Sequence, residues 1–206
     1  MQHTFEVKAS DSYSPGLPEN RLDHRRYSLV EQIGNIDIRY YDERMAAQTP
    51  YGGPENLTST HAAFERLSAY FQGENNLQRG LYETGATGRR GAAVPLQLPW
   101  TQQFTAKGWM MRFWLPRAHN FFTAPMPRDP EVSIVRLAPH AFATTRIVNG
   151  HSEGELRAAV TRIVGTLETT NWCAVGVPEL WSYEMPVSTI HGDMEMAIEV
   201  ACLSER

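Results

Sequence analysis

The chain has 206 residues, of which 42% are hydrophobic and 20% charged, with a formal net charge of −4. That length suits one domain, or one domain built of two similar halves, with a real hydrophobic core. The mildly acidic balance argues against a nucleic-acid partner, and no apolar run reaches the length of an integral membrane segment.

The first 20 residues are polar and lack the apolar core of a secretory signal. Residues 1–25 are therefore expected to form a flexible arm ahead of a single domain over 26–206. The two cysteines, Cys173 and Cys202, show no CxxC and no zinc-like spacing, which predicts reduced thiols in a cytoplasmic protein. Tyr27–Tyr41 reads as a β-hairpin: two short alternating runs broken by Gly34-Asn35. Arg44–Thr49 extends it or adds a strand. From Ser59 to Gln72, Ala63, Phe64, Leu67, Tyr70 and Phe71 recur at helical spacing, with Thr58 or Ser59 suited to cap the start and Gly73 to end it. Val94–Pro99 alternates, but Pro95 and Pro99 cannot donate to a ladder, so this strand is expected at an edge or with a bulge. Trp109–Leu115 is a more apolar strand that ends at Pro116.

The order then repeats. Val132–Leu137 and Ala141–Val148 read as a hairpin across Pro139-His140. Ser152 and Glu155 form a capping box for a helix striped by Leu156, Val160, Ile163 and Leu167. Two strands close the chain: Trp181, Tyr183, Met185 and Val187 share one face of the first, and Met194, Met196, Ile198 and Val200 one face of the second. Glu195 and Glu199 fall opposite that apolar side. The expected fold is α+β: two pseudo-symmetric hairpin–helix–hairpin units, about 26–116 and 130–203, giving a curved antiparallel sheet or distorted β-barrel covered by two helices. Such a packing leaves grooves fit for an apolar ligand.

Several segments, in order from Tyr27 to the C-terminus, resemble the SOUL haem-binding family. Ile36-Asp-Ile-Arg39-Tyr40-Tyr41 is similar to its "EIR-x-Y" hairpin, and Ala63-Phe64 through Gly73-Glu-Asn75 to its "AF-x-x-L-x-x-Y-I-x-G-x-N" helix. Val94–Trp100 falls where the family has "IPMTAPV"; Phe113–Pro116 and Tyr183–Pro186 match its "F-x-x-P" and "Y-x-x-P" strand ends. The chain departs from the pattern at Leu96-Gln97 and at Met194-Glu195-Met196, and Leu77–Gly91 reads as an insertion.

The resemblance implies non-covalent binding of haem (haem b or another porphyrin) for buffering, delivery or sensing. The implied pocket lies between the first helix and the last two strands, walled by Phe64, Leu67, Phe71, Trp181, Tyr183, Met196 and Ile198. Arg39 and Arg66, with Arg44, could meet the propionates. One ligand proposed in the family is a histidine following the "EIR" arginine; that position is Tyr40 here. His191, Tyr40 and His61 are alternative candidates for the haem-iron axial ligand, with His119 in a loop beside Phe121 and Phe122; a site with no protein ligand is a further option. Two other functions fit the same pattern: an enzyme that releases the iron or opens the ring, and a sensor for other hydrophobic small molecules. The glycines of 80–91 lack the strand–loop–helix setting of a phosphate cradle and read as a surface loop.

Overall fold

A computed structural model describes residues 27–76, 91–147, 152–184 and 193–203. The elements in chain order are β1 (Ser28–Ile33), β2 (Ile36–Tyr41), β3 (Arg44–Tyr51), α1 (Leu57–Phe71), β4 (Asn75–Asn76), β5 (Gln97–Thr105), β6 (Gly108–Trp114), β7 (Met126–Pro127), β8 (Ser133–Leu137), β9 (His140–Ile147), α2 (Glu153–Leu167), β10 (Trp172–Ala174), β11 (Glu179–Ser182) and β12 (Met194–Cys202). Ten strands form one antiparallel sheet in the order β1-β2-β9-β12-β11-β5-β6-β3-β8, with β10 also pairing to β12; β4 and β7 make a separate small ribbon.

The sheet is open. β1 and β8 end the hydrogen-bonded path and do not pair with each other, so of the two expected forms the antiparallel sheet stands and the barrel is corrected: closure needs every strand to have two neighbours. The β1/β2 hairpin forms as expected, with Gly34 at φ 60° in its two-residue turn, where a primed turn needs that conformation.

The second expected hairpin does not form. β8 pairs with β3, whereas β9 sits between β2 and β12. The solvent patterns give the reason. β8 exposes Ser133 and Arg136 as an end strand does, whereas Ala141–Thr145 of β9 is buried throughout and needs neighbours on both sides. Alternation identifies a strand but not its partner. β2 and β3 part in the same way: across Asp42-Glu43 the chain leaves the β1/β9 neighbourhood and enters the β6/β8 neighbourhood.

Pro95 falls outside β5; the strand carries a bulge around its one proline, Pro99, between Gln97 and Thr101, and lies in the middle of the sheet between β11 and β6. Each helix covers one half of one face. α1 starts at Asn56, whose side chain accepts from the Ser59 amide at 3.0 Å, two residues ahead of the expected start. Its buried stripe of Ala63, Phe64, Leu67, Tyr70 and Phe71 packs on Met111 and Phe113 of β6 and Met45 and Ala47 of β3. α2 is capped by Ser152 as expected, its Oγ accepting from the Glu155 amide at 3.3 Å. It packs Ala159, Ile163 and Leu167 on Ile36, Ile38, Ala143, Met196 and Ile198. Cys173 and Cys202 are in no disulfide, and both are half-buried.

Candidate functional site

The face of the sheet opposite the helices is built differently. Strand alternation puts Arg39 and Tyr41 of β2, Phe142 of β9, Glu195 and Ala197 of β12 and Glu179 and Trp181 of β11 on that side. Tyr41, Phe142, Trp181, Tyr183 and Ala197 form one buried cluster. Tyr41 meets Phe142 and Trp181 edge-on at centroid distances of 5.9 and 5.6 Å, the arrangement that ring quadrupoles favour.

Two buried carboxylates sit among these rings, and each has its own cation. Arg39 grips Glu195 through two nitrogens, at 2.8 and 3.0 Å, and also meets Asp37 at 2.8 Å. Burial disfavours the Arg39 charge, but Glu195, through charge and hydrogen bonding, more than offsets this and the pKa is raised. The Tyr183 hydroxyl donates to the same carboxylate. Its phenol is pushed well up by burial and by the Glu195 charge, so it stays a donor. Glu179 accepts from Trp181 Nε1 at 3.0 Å and faces Arg112 at 3.5 Å; burial raises its pKa against those partners. Glu195 therefore does not point to solvent as its place opposite the apolar stripe suggests. The opposite side of β12 is a second interior.

Beside this cluster, where the chain crosses from β2 to β3, lies a cavity of about 460 Å³, within the range of ligand pockets. Its wall includes Tyr41, Arg44, Met45, Gln97, Leu98, Trp114, His119 and Trp181; Asp42, Glu43 and Arg117 stand at its rim. The rim acids are paired, Asp42 with Arg117 at 2.6 Å and Glu43 with Arg136 at 3.4 Å. Arg44 is held between two rings, 4.2 Å from the Tyr41 centroid and 4.0 Å from that of Trp114. Its Nη2 is buried with no hydrogen-bond partner. Burial, with Arg112 nearby, lowers its pKa, while Tyr41, Glu179 and Tyr183 oppose the shift; a guanidinium remains charged even so. The Nδ1 of His119 lies 3.3 Å from the Thr123 carbonyl. If Nδ1 carries the proton, it donates there and Nε2 is left as the acceptor or ligand atom.

The residues expected in the binding wall do not gather around one space. Phe64, Leu67 and Phe71 are locked under α1, with Phe64 5.0 Å from the Phe113 ring. Met196 and Ile198 lie under α2. β5 separates β11 from β6, and its Trp100 packs against Phe64 at 5.8 Å. Of the seven wall residues, Trp181 lines the cavity at the crossover. Arg39 is committed to Glu195, and Arg66 to Thr49 at 3.0 Å and Asp129 at 3.2 Å. Tyr40 lies on the opposite side of β2 from Arg39 and Tyr41, 37% exposed. His61 is an exposed α1 residue 3.5 Å from Glu65, and His191 lies outside the described residues, as do Met185, Val187 and most of the 77–91 insertion. No three His, Cys, Asp or Glu side chains gather as a metal cluster among the described residues. Sequence reasoning misses Trp114, Gln97 and Glu179; of the three arginines expected to meet acidic substituents, Arg44 is the one that lines the cavity. The signal available was the polar half of each alternating strand, too long and too rich in Arg, Trp and Glu for simple solvation.

An open antiparallel sheet with two helices on one face defines a small α+β class. The family model described as SOUL heme-binding protein matches residues 22–199, and the chain belongs to that family. That membership supports haem or tetrapyrrole binding. No curated protein matches the chain significantly. Among solved structures, it is similar to a hydrolase from Listeria innocua (14% identity, TM-score 0.53, covering 81% of this chain and 92% of that one). An uncharacterized conserved protein from Listeria innocua matches over the same shares at 12% identity and TM-score 0.54. EcmrR in a complex with DNA matches at 8% identity and TM-score 0.54, over 81% of this chain and 57% of that one. These likenesses show the fold alone. No helix among the described residues is long and apolar enough to cross a membrane.

Proposed function

We propose that the protein binds haem or a related tetrapyrrole non-covalently, as a buffering, delivery or sensing module, in the cavity at the β2–β3 crossover. The observation that carries this reading, beside family membership, is a cavity of ligand size walled by Tyr41, Trp114 and Trp181 and holding a guanidinium with an unsatisfied buried nitrogen. A tetrapyrrole is a wide apolar plate with acidic substituents, which suits ring walls and a cation. The bound group would supply an iron centre, and His119 is the imidazole that the cavity wall offers to it.

The test is titration of the purified protein with haemin, followed by the Soret band and by quenching of tryptophan emission. A saturable, equimolar shift with strong quenching is expected, since Trp114 and Trp181 line the cavity. A linear titration overturns the reading. His119→Ala should change the spin-state bands of the complex, and an unchanged spectrum removes His119 as a ligand.

A second reading, a sensor of amphipathic cations, is favoured by the carboxylates of Glu179 and Glu195 among the rings. Against it, each carboxylate is already closed by an arginine. Saturable binding of tetraphenylphosphonium with no response to haemin would favour it.

A further inference from the structure

Among the described residues, three guanidinium groups lie in the buried centre of the protein, and two of them are accounted for. Arg39 faces Glu195 at 2.8 Å, and Arg112 faces Glu179 at 3.5 Å while donating to Gln48 at 2.8 Å. Arg44 has no such partner among the described residues. Glu179 and Arg112 are the charged groups whose fields reach it, of opposite sign, and Glu179 is engaged by Arg112 and Trp181. The acids that neighbour it in sequence, Asp42 and Glu43, turn outward to Arg117 and Arg136. What holds Arg44 is two rings, which fix the plane of the guanidinium but accept no strong hydrogen bond from its edge. A buried polar nitrogen without a partner costs free energy, and such costs persist where a ligand supplies the missing group.

We infer that Arg44 is the anion anchor of the crossover cavity, and that its ligand is a flat, largely apolar acid whose carboxylate meets the guanidinium edge. The inference rests on the cavity assigned above as the ligand site and adds the chemical class that it selects. Stacking between Tyr41 and Trp114 fixes the plane of the guanidinium before a ligand arrives, so a planar carboxylate entering the cavity meets an edge that is already oriented. The same geometry disfavours a cation, which would meet Arg44 with no unpaired carboxylate to offset it.

Three probes with one ring system separate the possibilities: 1-pyrenebutyrate, its neutral primary amide, and the corresponding trimethylammonium compound. Fluorescence anisotropy with the full chain should show the carboxylate bound about ten- to hundredfold more tightly than the amide, the span of a charge-assisted hydrogen bond. The trimethylammonium compound should bind weakest. Arg44→Gln should bring acid and amide within about twofold of each other, and Arg44→Lys, which keeps charge but loses the planar fork, should retain part of the preference. Arg39→Lys, at the paired arginine, should leave the preference intact.

Equal binding of acid and amide by the unaltered protein, binding of neither, or an acid preference that survives in Arg44→Gln overturns the inference. Should Arg44→Gln fail to fold, the Lys variant decides: an undiminished preference overturns the planar-fork contact, and a reduced one supports it. Haemin binding with no acid preference defeats the Arg44 assignment and leaves the tetrapyrrole reading standing. An Arg44-dependent acid preference with no response to haemin does the reverse.

Discussion

The two faces of the sheet show two ways of filling an interior. Under the helices, Phe64, Phe71 and Phe113 on one half and Ile38, Ile163 and Ile198 on the other are packed hydrocarbon. On the opposite face the centre is rings and ion pairs: Tyr41, Phe142 and Trp181 around Arg39–Glu195 and Arg112–Glu179. Hydrocarbon gains free energy wherever it leaves water, so the helix-covered face has little need for exact partners. Buried charges gain nothing unless the partner is in place. The first face therefore serves mainly stability. The second constrains position, and it is next to the second that the cavity opens.

The comparison can be broken at either face. The largest effect is expected under α1: Phe113→Ala empties a site fully shielded from water and should cost about 3–5 kcal/mol in urea unfolding. That cost should be the same across pH, because no titrating group is removed. On the other face, Glu195→Gln should cost less, about 1.5–3 kcal/mol, because Asp37 still meets Arg39. The double change Arg39→Met with Glu195→Met should recover much of it, since replacing a whole buried pair by apolar side chains is often close to neutral. If the double variant is worse than the sum of the single ones, the centre is held by geometry beyond this pair.

Smaller effects sharpen the contrast. Ser152→Ala removes the α2 cap and should cost about 1 kcal/mol, without affecting haemin binding. Glu179 offers a test by pH. Its folded-state pKa is raised by burial, so the native chain holds this proton more tightly than the unfolded one. The contribution is full below the unfolded value, about 4.3, and is lost as pH rises through the folded one. Glu179→Gln, which cannot titrate, should therefore gain on the unaltered protein as pH rises over that window, read from urea midpoints in a pH series. The opposite trend would mean that the Arg112 contact outweighs burial.

Much of this was legible in the residues. The helix stripes were, because Ala63-Phe64, Leu67 and Tyr70-Phe71 repeat at 3.6 residues and can face only one way. So were the Gly34-Asn35 turn, the Ser152 cap and the bulge at Pro99, each set by local backbone chemistry. The site was not. A wall assembled from Phe64, Met196 and Trp181 assumed that apolar residues on successive elements face one another, and the sheet order places them in three separate groups. Glu195 shows the same gap: alternation put it opposite Met196, and nothing local distinguishes a solvated opposite side from a second buried one.

By itself, then, the sequence determined the elements, their caps and their apolar faces, because these depend on residues close together in the chain, and membership in the family, because its motifs follow in order along the chain. Only the tertiary structure decided which strands are neighbours. It sent β3 and β9 away from the strands beside them in sequence, left the sheet open, and brought Arg44 between Tyr41 and Trp114, 70 residues further on in the chain from Arg44. Pairing between distant segments depends on the summed burial and charge of both partners. No short window of residues contains that sum.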